Sequence, residues 1–179
     1  MSGRVVRRFY WDFEKEERWL NEMAAQGWQL VRYSLGTYHF ERGEAGRWVY
    51  RIELLATAPR STAGREYLAF LSGTGIEAVS TYLNWAYLRR LAAAGPFELF
   101  SDLESRITHY RRVLGLFTVV LAALVAAAGG CIVVAGDSGG LVLVVPLVLV
   151  ATAGAGMAVQ TARLARRVRS LTAQRQVYE

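Results

Sequence analysis

Residues 113–136 read VLGLFTVVLAALVAAAGGCIVVAG and residues 141–162 read LVLVVPLVLVATAGAGMAVQTA. Neither run holds a charged residue, and only Asp137, Ser138, Gly139 and Gly140 separate them. A helix needs about 20 apolar residues to cross the hydrocarbon of a bilayer. The first run carries twelve Leu, Ile, Val or Phe residues, each favouring insertion by about 0.3–0.6 kcal/mol. Arg111 and Arg112 precede the first run, and Arg163, Arg166, Arg167 and Arg169 follow the second. Positive charge collects on the cytoplasmic side of membrane helices. The pattern predicts a two-helix transmembrane hairpin, with both termini cytoplasmic and the Asp137 turn outside. Twenty of the 21 basic residues are Arg, amid many Ala and Gly, which suggests a GC-rich bacterial genome and hence the bacterial inner membrane.

No ionisable group lies inside either span. Intramembrane charge is the usual mark of an ion or proton path, so the hairpin reads as an anchor rather than a conduit. Ala122, Ala126 and Gly130 recur at a spacing of four, as do Ala151 and Ala155. Small residues at that spacing let helix backbones approach closely, within the hairpin or between protomers. Pro146 is expected to kink or loosen the second helix. Cys131, the one cysteine, has no partner for a disulfide and reads as a small apolar residue.

The hairpin divides the chain. Residues 1–100 read as a cytoplasmic domain and 101–112 as a juxtamembrane helix. Residues 113–136 and 141–162 are the spans, 137–140 the turn, and 163–179 a basic cytoplasmic tail. The first 112 residues hold all five tryptophans and eight of the nine tyrosines, a content that disordered segments lack. The net charge of +6 gathers beside the membrane, with five Arg against one Glu from Arg163 onward. Attraction to anionic lipid accounts for it, and no nucleic-acid partner is expected. The N-terminus has no apolar run, so it does not read as a signal peptide.

Within the domain, Arg7–Trp11 reads as a strand and Asp12 as the N-cap of a helix running to about Gln26. Phe13, Leu20, Met23 and Ala24 share a face of that helix, and Gly27 suits the position after its last turn. Strands are expected at Trp28–Ser34, Thr37–Arg42 and Arg47–Leu55, where apolar residues alternate with polar ones. A second helix, about Thr62–Ser72, precedes strands at Ile76–Leu83 and Trp85–Leu91, with a short one at Pro96–Phe100. Gly27-Trp28-Gln29-Leu30-Val31 and Gly75-Ile76-Glu77-Ala78-Val79 match at an offset of 48, a weak internal repeat. Two helix–hairpin units suggest one ferredoxin-like antiparallel sheet with both helices on one face, an α+β domain. Ser101 and Glu104 form a capping box, so the first span should continue a helix that begins beside the domain.

Chemistry is harder to find. His39 lies mid-strand and His109 on the juxtamembrane helix, and neither has a metal-ligand partner at the usual spacing. There is no phosphate loop or nucleophile elbow. Asp12, Glu14, Glu16 and Glu17 cluster at a helix start, where they compensate the helix dipole. The expectation is therefore no enzyme, no cofactor and no metal. The tryptophans are more suggestive. Trp28, Trp48, Tyr50 and Trp85 are candidates for an aromatic groove that takes an apolar ligand or peptide. A protein partner or a homo-oligomer built on the small-residue faces is a second reading.

Four segments together resemble a bacterial family. They are Glu14-Lys-Glu-Glu-Arg-Trp-Leu-Asn-Glu-Met-Ala-Ala-Gln-Gly-Trp28, Tyr38-His-Phe40, Tyr50-Arg-Ile52 and Phe100-Ser-Asp-Leu-Glu-Ser-Arg-Ile-Thr-His-Tyr110. The chain is similar, over roughly residues 5–112, to the domain of unknown function 2812. The resemblance implies C-terminal membrane spans and, since members are often encoded near PadR-type transcriptional regulators, a role in membrane-linked sensing or regulation. It supplies no activity and no catalytic residues. The family tends to repeat Gly-Trp after its second helix, where this chain has Gly75-Ile76.

Overall fold

The structure is a computed structural model that describes residues 3–97, 99, 103–138 and 141–178; side chains at 103–104, 128–138, 141–147, 149, 167 and 171–178 are outside the description. The chain divides into two units, Met1–Ser101 and Asp102–Glu179.

The first unit runs Gly3–Arg7 (β1), Phe13–Ala25 (α1), Trp28–Ser34 (β2), Thr37–Arg42 (β3), Trp48–Leu54 (β4), Thr62–Gly73 (α2), Glu77–Tyr82 (β5) and Trp85–Leu91 (β6). Asp12 caps α1 as its sequence position predicts, its Oδ1 accepting from the amides of Glu14 and Lys15 at 3.0 and 3.3 Å. Gly27 and Gly75 close the two helices at a φ of 81° each, a left-handed conformation that costs glycine little.

The six strands form two antiparallel sheets of three, in the orders β1-β3-β2 and β4-β6-β5. Each sheet comes from one β-α-β-β segment whose last strand sits in the middle. Irregularities recur with the order. The ladder slips at Val31 in β2 and at Val79 in β5, and Leu35 and Leu83 both take a positive φ in the following turns. The offset of 48 between the two helix–glycine motifs thus extends to a bulge and a turn.

A single sheet with both helices on one face is not what forms. The reason lies in the bulges. β2 and β5 approach each other, but each carries its slip there, and a bulged strand bends away from a regular ladder. One side chain bridges instead, because Ser80 Oγ accepts from Tyr33 N at 3.1 Å and donates to Tyr33 O at 3.2 Å. The helices consequently meet different surfaces. Trp19, Leu20, Met23 and Ala24 of α1 share a core with Leu30, Tyr38 and Phe40 of the first sheet and with Tyr50, Ile52 and Tyr87 of the second. Leu71 of α2 packs with Leu55, Ile76, Ala86 and Leu88 in a separate core. Alternation along β6 sends Tyr87 to one core and Ala86 and Leu88 to the other.

Other boundaries move as well. The first strand is Gly3–Arg7 rather than Arg7–Trp11, because it pairs with β3 from Gly3↔Glu41 to Arg7↔Thr37. Ala92–Ala94 is a turn of 3₁₀ helix, and Pro96 and Phe97 are not strand. The rest of Pro96–Phe100 lies partly outside the described residues, as does the Ser101 capping box.

α1 also holds the outer edge of β4. Asn21 Oδ1 accepts from Tyr50 N at 2.8 Å and its Nδ2 donates to Tyr50 O at 3.1 Å. Two residues on, Glu17 Oε2 accepts from Ile52 N at 3.0 Å, while its Oε1 pairs with Arg51 at 3.1 Å.

The second unit is a pair of long helices, Leu103–Ser138 (α3) and Leu141–Tyr178 (α4), which pack on each other. α4 continues through Pro146 as one helix. Among the described residues one helical segment, Ser105–Ala127, is long and apolar enough to cross a membrane, with a mean hydropathy of 1.7.

Asn21→Ala removes both bonds to Tyr50 and leaves its partly buried amide unpaired, while the carbonyl keeps the Arg51 Nη1 donor at 3.2 Å. An unmade buried bond costs about 1–3 kcal/mol, so urea unfolding of the variant should show a loss of about 2 kcal/mol. A loss below about 0.5 kcal/mol, the level of an ordinary surface substitution, would mean that water serves this edge as well as α1 does.

Candidate functional site

Within the first unit and among its described residues, α1 covers one face of the first sheet and no helix covers the other. In β3, Tyr38 and Phe40 enter the core while His39 and Glu41 alternate outward. The ladder aligns Val5, His39 and Arg32 across that outward face. The slip at Val31 puts an additional residue on β2 at this point, and Val31 is 43% exposed and Val5 59%. Here a shallow concavity of about 320 Å³ opens, lined among others by Arg4, Val5, Val31, Arg32, His39 and Glu41. Arg32 Nη2 lies 3.3 Å from His39 Nε2. A guanidinium has no acceptor, so in this contact Arg32 donates and the imidazole nitrogen accepts. Two aliphatic side chains beside the Arg32 guanidinium and the Glu41 carboxylate suit an extended amphipathic segment or a small molecule with an anionic end.

The four aromatic candidates line none of this concavity. Tyr50 is core, 1% exposed, and its hydroxyl accepts from Leu30 N at 3.0 Å, a bond that the slipped β2 ladder would otherwise leave unmade. Trp28 lies under Arg4 and Arg42, at 5.4 and 5.0 Å from the ring centre. Trp48 lies under Arg47 and Arg89, at 5.4 and 4.2 Å. Trp85 packs on Phe13 with ring centres 5.8 Å apart. Each tryptophan thus edges the core rather than a shared opening. A cation over a ring contributes about 0.5–1 kcal/mol at exposed sites, and it also covers the ring.

The acidic cluster at the start of α1 separates by role. Asp12 caps the helix and Glu17 serves the β4 edge. Glu16, 7% exposed, enters the aromatic core, where Oε1 accepts from Tyr38 Oη at 2.7 Å and Tyr87 Oη at 2.6 Å. One carboxylate therefore ties the middle strands of both sheets to α1. Burial raises the Glu16 pKa above the ordinary value, although both phenols pull it back. Tyr38 and Tyr87 are raised by burial and by the facing carboxylate. Reading all four acids as dipole compensation missed this. The signal available was the position of Glu16, one turn before Leu20 and two before Ala24. Glu53 is similarly buried, accepting from Tyr67 of α2 at 3.0 and 3.2 Å.

In the second unit Ala122, Ala126, Ala151 and Ala155 are exposed. Tyr110, Val113, Met157 and Val168 are buried. The side chains of Gly130, Cys131 and Arg167 lie outside the described residues. Arg111, Arg163 and Arg166 are exposed and Arg112 half-buried. His109 is buried on α3, edge-on to Tyr110 at 5.9 Å. Among the described residues no group of three His, Cys, Asp or Glu could hold a metal ion.

Residues 12–122 match the family described as Protein of unknown function (DUF2812). The chain belongs to that family. No curated protein and no solved structure matches it.

A carboxyl whose pKa is raised by folding makes the folded chain bind the extra proton between its unfolded and folded values. The stability it contributes is greatest below the unfolded value and falls as pH rises through the folded one. Glu16→Gln keeps an acceptor for both phenols and removes the charge. Thermal melts from acid to mildly alkaline pH should show a shallower fall than the parent, with Glu17, also raised by burial, keeping part of the slope. Glu16→Leu leaves two buried hydroxyls without an acceptor and should lose about 2–5 kcal/mol at neutral pH. An unchanged slope in Glu16→Gln would sink the assignment.

Proposed function

We propose that this chain is a non-enzymatic protein of the bacterial inner membrane, anchored by α3 and α4 as a two-pass hairpin with both termini cytoplasmic. Its α+β domain binds a partner or small ligand on the open face of the first sheet, in membrane-linked sensing or regulation. The observation that carries the anchor is the surface of α3. Ser105–Ala127 has a mean hydropathy of 1.7 with 11% of its most apolar window buried, and Val119 and Val125 are 68% and 64% exposed. Such a surface is unfavourable in water and favourable in lipid. The arginines beyond both ends of the apolar runs support the orientation. Two exposed valines beside the Arg32 guanidinium in the concavity support binding.

The exposure of Ala122, Ala126, Ala151 and Ala155 favours a second reading, a structural oligomer assembled in the membrane through these small faces.

Alkaline carbonate extraction of membranes tests the anchor. The parent should stay in the pellet. A Val119→Arg, Leu124→Arg double variant, with about 3 kcal/mol of insertion penalty per arginine, should move to the soluble fraction. A parent that washes off with carbonate would overturn the anchor. For topology, a Ser138→Cys chain in a Cys131→Ser background should react with an impermeant maleimide from outside intact cells. Labelling only after lysis would reverse the orientation.

A further inference from the structure

Two three-stranded sheets have four edges, and three of them are covered. Asn21 and Glu17 bond the outer edge of β4. The inner edges β2 and β5 lie together, bridged by Ser80, with the Tyr50 hydroxyl on Leu30 N. The fourth edge is β1, and among the described residues nothing bonds its outer side. An unpaired strand edge is a template for another strand.

The phase of the ladder says which groups are offered. Arg8 N donates to Gly36 O at 2.8 Å. In an antiparallel ladder the backbone groups of successive residues alternate between the two sides. Arg4 and Val6 therefore face β3, while Gly3, Val5 and Arg7 present their amides and carbonyls outward.

The sequence Gly3-Arg4-Val5-Val6-Arg7 then selects a partner. Arginines on an edge normally discourage pairing, because like charges directly opposite are destabilising. For two copies of β1 paired antiparallel about a two-fold axis, centring on Arg4 or Arg7 sets an arginine against itself. Centring on Val6 sets Arg4 against Arg8. Centring on Val5 sets Val5 against Val5, Gly3 against Arg7 and Arg4 against Val6, with no arginine facing another. That register also has the correct phase, since Val5 and its counterpart would exchange both backbone bonds. Val5 is already an exposed apolar side chain at 59%, and the pairing would cover it with its copy.

We infer that β1 is a homodimerisation edge: two copies join through antiparallel pairing centred on Val5, making one six-stranded sheet with its two concavities side by side on one face. The interface is isologous and closes at two, so it does not propagate into fibres. It does not depend on the membrane anchor or on ligand binding.

The test uses the full-length chain in detergent with Cys131→Ser, so that an introduced thiol is the only one. Val5→Cys should give a covalent dimer on mild oxidation, because residues in a hydrogen-bonded antiparallel pair have Cα atoms about 5.5 Å apart, within the disulfide range of about 4.4–6.8 Å. Arg7→Cys should not, since its copy would lie four residues along, about 13 Å away. Light scattering should give the mass of a dimer for the parent and of a monomer for Val5→Lys. This substitution leaves pairing with β3 in place, so circular dichroism should be unchanged. Val5→Pro is a second breaker, because the amide it removes faces outward. A monomeric parent, equal cross-linking from Arg7→Cys, or a dimer that survives Val5→Lys but not Ala126→Leu would each overturn the proposal. The last result would assign association to the helices instead.

Discussion

β4 has a strand on one side and a helix on the other. The bonds from Asn21 and Glu17 to Tyr50 and Ile52 make α1 belong to both halves of the domain. One stripe of the helix, through Glu16, Leu20 and Ala24, faces the shared core. The adjoining stripe, Glu17 and Asn21, binds the edge of the second sheet, and residues four apart lie on one helix face. Without that edge contact the second sheet would meet the first only through the Ser80 bridge and the side chains of the core. The buried Glu16 carboxylate works in the same direction, since its two phenols come from β3 and β6. Removing a charge from water is costly, and the aromatic core answers with hydroxyl donors rather than a cation.

Much of this architecture is legible in the residues because local chemistry dictates it. Asp12 before an amphipathic stretch and Gly27 after it define α1, and alternation at Tyr38-His-Phe40 and Tyr50-Arg-Ile52 defines strands. The offset between Gly27 and Gly75 marks a repeat that recurs in strand order, ladder slip and turn. The division into two sheets is not legible, because it turns on bulges at Val31 and Val79, and an aliphatic residue in a strand looks the same whether or not it slips. Polar residues that work inside are equally hidden. Asn21 and Glu17 have the appearance of a solvated helix face, and only the free backbone of β4 gives them another use.

The aromatic candidates illustrate a related limit. Tryptophans in excess of what a small core needs suggest a ligand groove. Here Trp28 and Trp48 are partnered by arginines from Arg4, Arg42, Arg47 and Arg89, of which only Arg47 is adjacent in sequence. A flat, weakly hydrated guanidinium stacks on a ring readily, so an arginine-rich, tryptophan-rich domain can satisfy itself. The face left open is defined by β-branched and basic residues, types that attract little notice in a sequence.

The lengths of α3 and α4 have a mechanical meaning. At 1.5 Å per residue, the 36 residues of α3 extend about 54 Å, and the hydrocarbon of a bilayer is about 30 Å thick. With residues 113–136 in lipid, Leu103–Arg112 would stand in water, about 15 Å of helix or some three turns. A paired stalk of that length resists bending far better than a peptide linker does. Rotation or tilt of the helices in the membrane would be carried undiminished to its far end, and so would a load applied there.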